Sequence, residues 1–125
     1  MTEGRPTFGK PLILDVEHLG TMCGEDPVLE RELLQTYLIT AESRLSLLSD
    51  AIGAGDPVAM LSAARTLKLS SRCIGADALA DACLELESLG VRGLTAGAVT
   101  AFAITRRQHR RLRVVIAARL TRRAP

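Results

Sequence analysis

Aromatic residues are nearly missing from this chain, with no Trp, one Tyr and two Phe among 125 residues. Hydrophobic residues still make up 47% of it, so the core has to be assembled from Leu, Ala, Val and Ile. Such a mixture suits helices, because strands favour aromatic and β-branched side chains. Cysteines number three, Cys23, Cys73 and Cys83, an odd set without CxxC spacing, and the two histidines, His18 and His109, stand far apart. That pattern argues against a zinc site and against a disulfide framework; it predicts free, buried thiols, with no metal or other cofactor. No run approaches the roughly 20 apolar residues that cross a bilayer, and no membrane insertion is expected. The amino terminus, Met1-Thr2-Glu3-Gly4-Arg5-Pro6, lacks a basic patch followed by an apolar stretch, so a cytoplasmic location is expected.

Acidic residues are missing from one end altogether. Residues 1–92 carry 8 Lys+Arg and 14 Asp+Glu, a net 8 − 14 = −6, whereas residues 93–125 carry 8 Arg and no acid, a net +8. The overall charge of +2 conceals this asymmetry, which can mark an interaction surface.

What remains reads as one domain, residues 13–123, behind a leader of residues 1–12 that contains Pro and Gly. A short helix is expected from Asp15 to about Met22. Asp26-Pro27 then gives a strong start, Asp as cap and Pro at the first helical position. Leu29, Leu33, Leu34, Tyr37, Leu38, Ala41, Leu45, Leu48 and Ile52 follow at helical spacing until Gly53-Ala54-Gly55. Asp56-Pro57 repeats the start signal. Its helix carries the stripe Met60, Ala64, Leu67, Ser71 and Ile74 and ends at Gly75. A fourth helix, about Asp77 to Leu89, should bury Leu79, Ala82, Cys83 and Leu86. The last, from near Thr95 to about Arg122, carries Val99, Phe102, Ala103, Arg106, Leu112, Val115 and Leu120 at helical spacing. Short connections favour antiparallel neighbours, so the expected fold is all-α, an up-down four-helix bundle with a short additional N-terminal helix.

The segment between Ala59 and Glu87 carries the most specific signal. It reads Ala64-Arg65-Thr66-Leu67-Lys68-Leu69-Ser70-Ser71, then Ile74-Gly75-Ala76, then Leu79-Ala80-Asp81-Ala82-Cys83-Leu84-Glu85-Leu86-Glu87. It resembles the signature of histidine phosphotransfer (HPt) domains, Ala-His-x-Leu-Lys-Gly-Ser-Ser/Ala followed by Leu/Ile-Gly-Ala and a Leu-x-x-Leu/Ala-Cys-x-x-Leu-Glu helix. The resemblance implies the same helical bundle and a histidine that takes a phosphoryl group from a receiver aspartate and passes it on. Two positions depart from the pattern: Arg65 stands for the histidine and Leu69 for the glycine.

On a helical wheel at about 100° per residue, Arg65 and Leu69 fall nearly opposite the core stripe, with Val58, Leu61 and Arg72 beside them. A neutral imidazole offers a nitrogen lone pair to phosphorus. Arginine stays protonated and only donates hydrogen bonds, which excludes phosphotransfer at position 65. The resemblance therefore implies a non-catalytic HPt protein that regulates two-component phosphorelay signalling by binding a receiver domain, of a response regulator or hybrid kinase, or a histidine kinase. In that reading Val58, Leu61 and Leu69 anchor the partner, while Arg65, Lys68 and Arg72 face its acidic pocket. The bland alternative is a solvated helix face.

Two further readings stay open. Arg106, Arg107, Arg110, Arg111 and Arg113 form a basic ridge that suits nucleic acid, another polyanion or an acidic protein, although no stacking aromatic or DNA-binding motif accompanies it. Cations near a helix end also complement its dipole. Phosphotransfer through His109 or His18 is the third, although both histidines read as ordinary surface residues. The chain is expected to be a monomer or a weak homodimer.

Overall fold

A computed structural model describes residues 10–122, and all of its regular structure is helical: α1 Val16–Met22, α2 Pro27–Ala54, α3 Pro57–Cys73, α4 Asp77–Val91 and α5 Ala98–Arg122. The first three starts follow the capping signals. The carboxylate of Asp15 accepts the His18 N–H (3.1 Å), that of Asp26 the Val28 and Leu29 N–H groups (3.0 and 3.3 Å), and that of Asp56 the Ala59 N–H (3.1 Å). Each satisfies a donor that the helix itself cannot, worth about 1 kcal/mol.

The four long helices pack as a closed ring, α2 on α3, α3 on α4, α4 on α5 and α5 back on α2. Cross-contacts fix the directions. Tyr37 Oη lies 2.7 Å from Ser71 Oγ, joining the early part of α2 to the end of α3. At the next interface Arg72 at the end of α3 reaches Asp81 near the start of α4 (3.1 Å). Thr105 donates to the Ala82 carbonyl (3.2 Å), and Arg119 near the end of α5 grips Glu30 near the start of α2, Nη2 to Oε1 at 3.0 Å and Nε to the other oxygen. The result is an up-down-up-down bundle with α1 as an extra short helix.

Burial follows the α3 stripe without exception: Met60, Ala64, Leu67, Ser71 and Ile74 are all buried. In α2 the stripe also packs inward, except that Leu29 is exposed and the neighbouring Glu30 is buried against Arg119. The α5 expectation needs correction. Its buried residues are Ala98, Ala101, Thr105, His109, Leu112 and Ile116, whereas Val99 and Ala103 face solvent. The helix also starts later than Thr95, since Gly97 adopts φ 84° just before it.

Two glycines set the local geometry around the site. Gly75, at φ 85°, lets the Ala76 N–H reach the Ser71 carbonyl (2.7 Å) and closes α3. A Cβ there would also lie 2.9 Å from the Asp15 carbonyl oxygen, because the chain before α1 crosses this turn and donates the Asp15 N–H to the Gly75 carbonyl (2.8 Å). The same crossing puts Leu12 within the fold, its carbonyl accepting the Ala78 N–H (2.9 Å). Residues 1–9 of the expected leader, and residues 123–125, lie outside the described residues. Gly90 lets α3 and α4 approach closely, for a Cβ at this position would lie 2.7 Å from Leu61 Cβ.

Of the three thiols, Cys23 and Cys83 are free and buried as expected, and burial pushes the Cys83 thiol up to about 12. Cys73 corrects the expectation: it is exposed, with its Sγ 3.7 Å from Met22 Sδ. Among the described residues, no helix is long and apolar enough to cross a membrane.

Candidate functional site

The α3 residues singled out by the motif share one side of the bundle, at the α3–α4 edge. Val58 and Leu69 project into solvent, 76% and 59% exposed. Leu61 is half-buried, because it leans over Gly90 instead of standing free. Between Val58 and Leu69 lies Arg65, whose side chain is 52% exposed.

The cations of this face are not free-standing, and their partners come from α4. Arg65 Nε donates to Glu87 Oε2 (2.9 Å), and Lys68 Nζ donates to Glu87 Oε1 (2.6 Å). Arg72 pairs with Asp81 further along. Glu87 is only 13% exposed, and the hydrogen bonds from Arg65 and then Lys68 hold its carboxyl below the usual carboxylate range against the opposing effect of burial. Two cations on one carboxylate leave the cluster a net positive charge. Because Glu87 engages only Nε of Arg65, the two Nη groups carry no partner among the described residues.

Glu87 was not singled out as a site residue in the sequence. The signal that would have found it is the antiparallel turn at Gly75: Arg65 stands ten residues before that glycine and Glu87 twelve after, so they meet across the α3–α4 interface. The same reasoning adds Leu84 and Val91, 44% and 65% exposed, one turn to either side of Glu87 on the same α4 stripe. The face is therefore a charged centre of Arg65, Lys68 and Glu87 between apolar side chains from both helices.

The Hpt domain family model matches residues 32–120, from α2 to near the end of α5. The chain belongs to the Hpt domain family. Among solved structures, histidine-containing phosphotransfer protein B (HptB) from Pseudomonas aeruginosa PAO1 is similar, with 29% identity over 88% of this chain and 96% of that chain, and a TM-score of 0.83. No curated protein matches the chain. Membership places this Hpt domain in two-component phosphorelay signalling, among proteins that interact with kinases or receiver domains.

The two histidines of this Hpt domain occupy unlike settings. His18 is exposed, and its Nε2–H donates to the Cys73 carbonyl (2.9 Å), tying α1 to the end of α3. His109, expected at the surface, is instead buried between α5 and α2 at 3% exposure. Its Nδ1 lies 3.7 Å from Glu42 Oε2, and burial pushes the imidazole below its ordinary value. A group so enclosed cannot be presented to a receiver's active site.

The arginines of α5 are displayed as expected: Arg106, Arg107, Arg110, Arg111 and Arg113 are all exposed. Arg106 lies over the Phe102 ring, 5.8 Å from its centroid, and Arg113 Nη1 is 3.8 Å from Glu42 Oε2. Among the described residues, Arg107, Arg110 and Arg111 have no ion-pair partner.

Proposed function

We propose that this chain is a non-phosphorylatable Hpt protein that regulates a two-component phosphorelay by binding a receiver domain or a histidine kinase through the α3–α4 face. The observation that carries the reading is Arg65 itself. It stands where the family signature has its histidine, at the centre of the outward face, and a guanidinium has no lone pair with which to attack phosphorus.

The surroundings favour holding a partner over reacting with it. Leu69, in place of the signature glycine, fills the space one turn away and offers an apolar anchor together with Val58 and Leu61. Glu87 fixes the Nε edge of Arg65 and leaves the Nη edge for carboxylates of a partner. A receiver's phosphorylation site clusters carboxylates around Mg²⁺, so a guanidinium presented in this way would compete with the metal and keep the receiver inactive. Lys68 supports the same charge from a less exposed position, and Arg72, paired with Asp81, lies at the rim.

Titration of candidate receiver domains with and without Mg²⁺ tests this reading. Binding should weaken as Mg²⁺ rises, and Arg65→Ala should lose at least about tenfold in affinity, about 1.4 kcal/mol. Unchanged affinity in that variant removes the role given to Arg65. Incubation with an active kinase, a receiver and labelled ATP should leave this chain without acid-labile label; label on the chain would overturn the reading.

A further inference from the structure

Across the bundle from the α3–α4 face, α2 and α5 border an open groove of about 380 Å³. One wall carries Arg106, Arg110 and Arg113, and the other carries Glu42, Ser46 and Ser49. Leu45, Phe102 and His109 complete the lining. Because α2 and α5 run antiparallel, Glu42 sits at the Arg113 end, and Ser46 and Ser49 lie toward Arg106 and Arg110.

The two ends differ in charge. At one end Glu42 lies 3.8 Å from Arg113 and 3.7 Å from His109 Nδ1 and offsets the charge there. At the other end no carboxylate faces Arg106 or Arg110 among the described residues, and Phe102 supports the Arg106 guanidinium from below. Two serine hydroxyls oppose these arginines, and hydroxyls are good donors to phosphate oxygens. The buried His109 has no hydrogen-bond partner at Nε2, so a packed polar group already lies beneath a concave cationic surface.

We infer that this groove binds a small molecule carrying two adjacent phosphates, held between Arg106 and Arg110 on α5 and Ser46 and Ser49 on α2. The spacing supports two phosphates over one: four residues of helix separate the arginine Cα atoms by about 6 Å along the axis. Each planar guanidinium can then take its own phosphate in a forked pair of bonds. The groove's volume of about 380 Å³ is of the order found for small-molecule sites. A long phosphate backbone fits less well, because Glu42 stands at the end of the groove through which it would have to continue. The inference is independent of the role proposed for Arg65, which lies on the opposite side.

Isothermal titration of the full chain with inorganic pyrophosphate tests it, with orthophosphate as the single-phosphate comparison and a short DNA duplex as the polyanion comparison. Saturable one-to-one binding of pyrophosphate, tighter than orthophosphate, is expected. The double variant Arg106→Gln/Arg110→Gln should weaken it roughly tenfold or more, and Arg107→Gln/Arg111→Gln, which lies outside the groove, should leave it within a factor of about two. Circular dichroism verifies that both variants keep their helices. The inference is overturned if pyrophosphate does not saturate, or if the two double variants weaken it equally, since the effect would then be diffuse charge. Tighter binding of DNA that depends on Arg107 and Arg111 would likewise replace it with a nucleic-acid surface.

Discussion

Fixing an arginine side chain in one rotamer on a helix surface costs of the order of 1.5–2 kcal/mol of conformational entropy. At Arg65 the Glu87 hydrogen bond has already imposed part of that order, so in the proposed docking a partner would meet a guanidinium whose direction is set. Glu87 has a lowered pKa, so its contribution to stability is present above the ordinary value of 4.5 and is lost as pH falls through the lower folded-state value. Urea denaturation should show wild type losing stability below about pH 4.5 more steeply than Glu87→Gln; parallel curves would show that the carboxylate contributes nothing. The second departure from the family pattern is tested at the same scale. Arg65→His alone restores an imidazole, but on the proposed reading Leu69 would still fill the space that the family's glycine leaves to a receiver's loops. With an active kinase and receiver, Arg65→His should therefore gain little acid-labile label and Arg65→His/Leu69→Gly clearly more. The glycine in mid-helix should lower stability by about 1 kcal/mol, visible in the same urea assay.

Helices 2 and 3 were legible because their buried positions are held by large apolar residues at regular spacing. In α5 the inward positions include Ala98, Ala101, Thr105 and His109, residues that hydrophobicity does not mark. Thr105 can be buried there because its hydroxyl donates within α5 to the Ala101 carbonyl (3.0 Å) and across to the Ala82 carbonyl. The outward Val99, 71% exposed, sits instead on the stripe that hydrophobicity picks out. Arg65 and Leu69 were readable for a different reason, since a single helix fixes the face on which they lie. Glu87 was not, because its role exists only once α4 is laid against α3. That packing is also fragile at one point. Gly90→Ala would push a methyl to 2.7 Å from Leu61 Cβ, where backbone and side chain of α3 have to give way. Thermal and urea unfolding should show a loss of about 1–3 kcal/mol, and receiver affinity should fall with it because Leu61 and Arg65 share the displaced helix. Unchanged stability would mean that the two helices separate freely.

Charge is divided across the whole molecule, acidic toward α2 to α4 and basic along α5, and the α2–α5 interface is where the two meet. Arg119 with Glu30 joins one end of it, and Arg113 with Glu42 lies nearer the middle. Beside the second pair His109 is enclosed, faced by Glu42 from α2 and by Arg106 and Arg113 from its own helix. Desolvation is the largest influence and favours the neutral ring; Glu42 opposes it, and the two arginines reinforce it. The sign is the same as for Glu87, because a pKa lowered on folding leaves the unfolded chain binding more protons whichever charge the group carries. Above the ordinary value of 6.5 the ring is neutral in both folded and unfolded chains and pH has no effect through this group. Below it the unfolded chain takes up a proton that the folded chain resists, so stability falls as pH drops from 6.5 toward the depressed folded value and then levels off. Replacing the imidazole by a leucine of similar volume removes that proton and also the unpartnered Nε2. Urea midpoints for His109→Leu at pH 7.5 should lie within about 1.5 kcal/mol of wild type, while between pH 7.5 and 5.5 wild type should lose stability that the variant keeps. If both fall together, the acid sensitivity of the bundle comes from its carboxylates and not from the buried histidine.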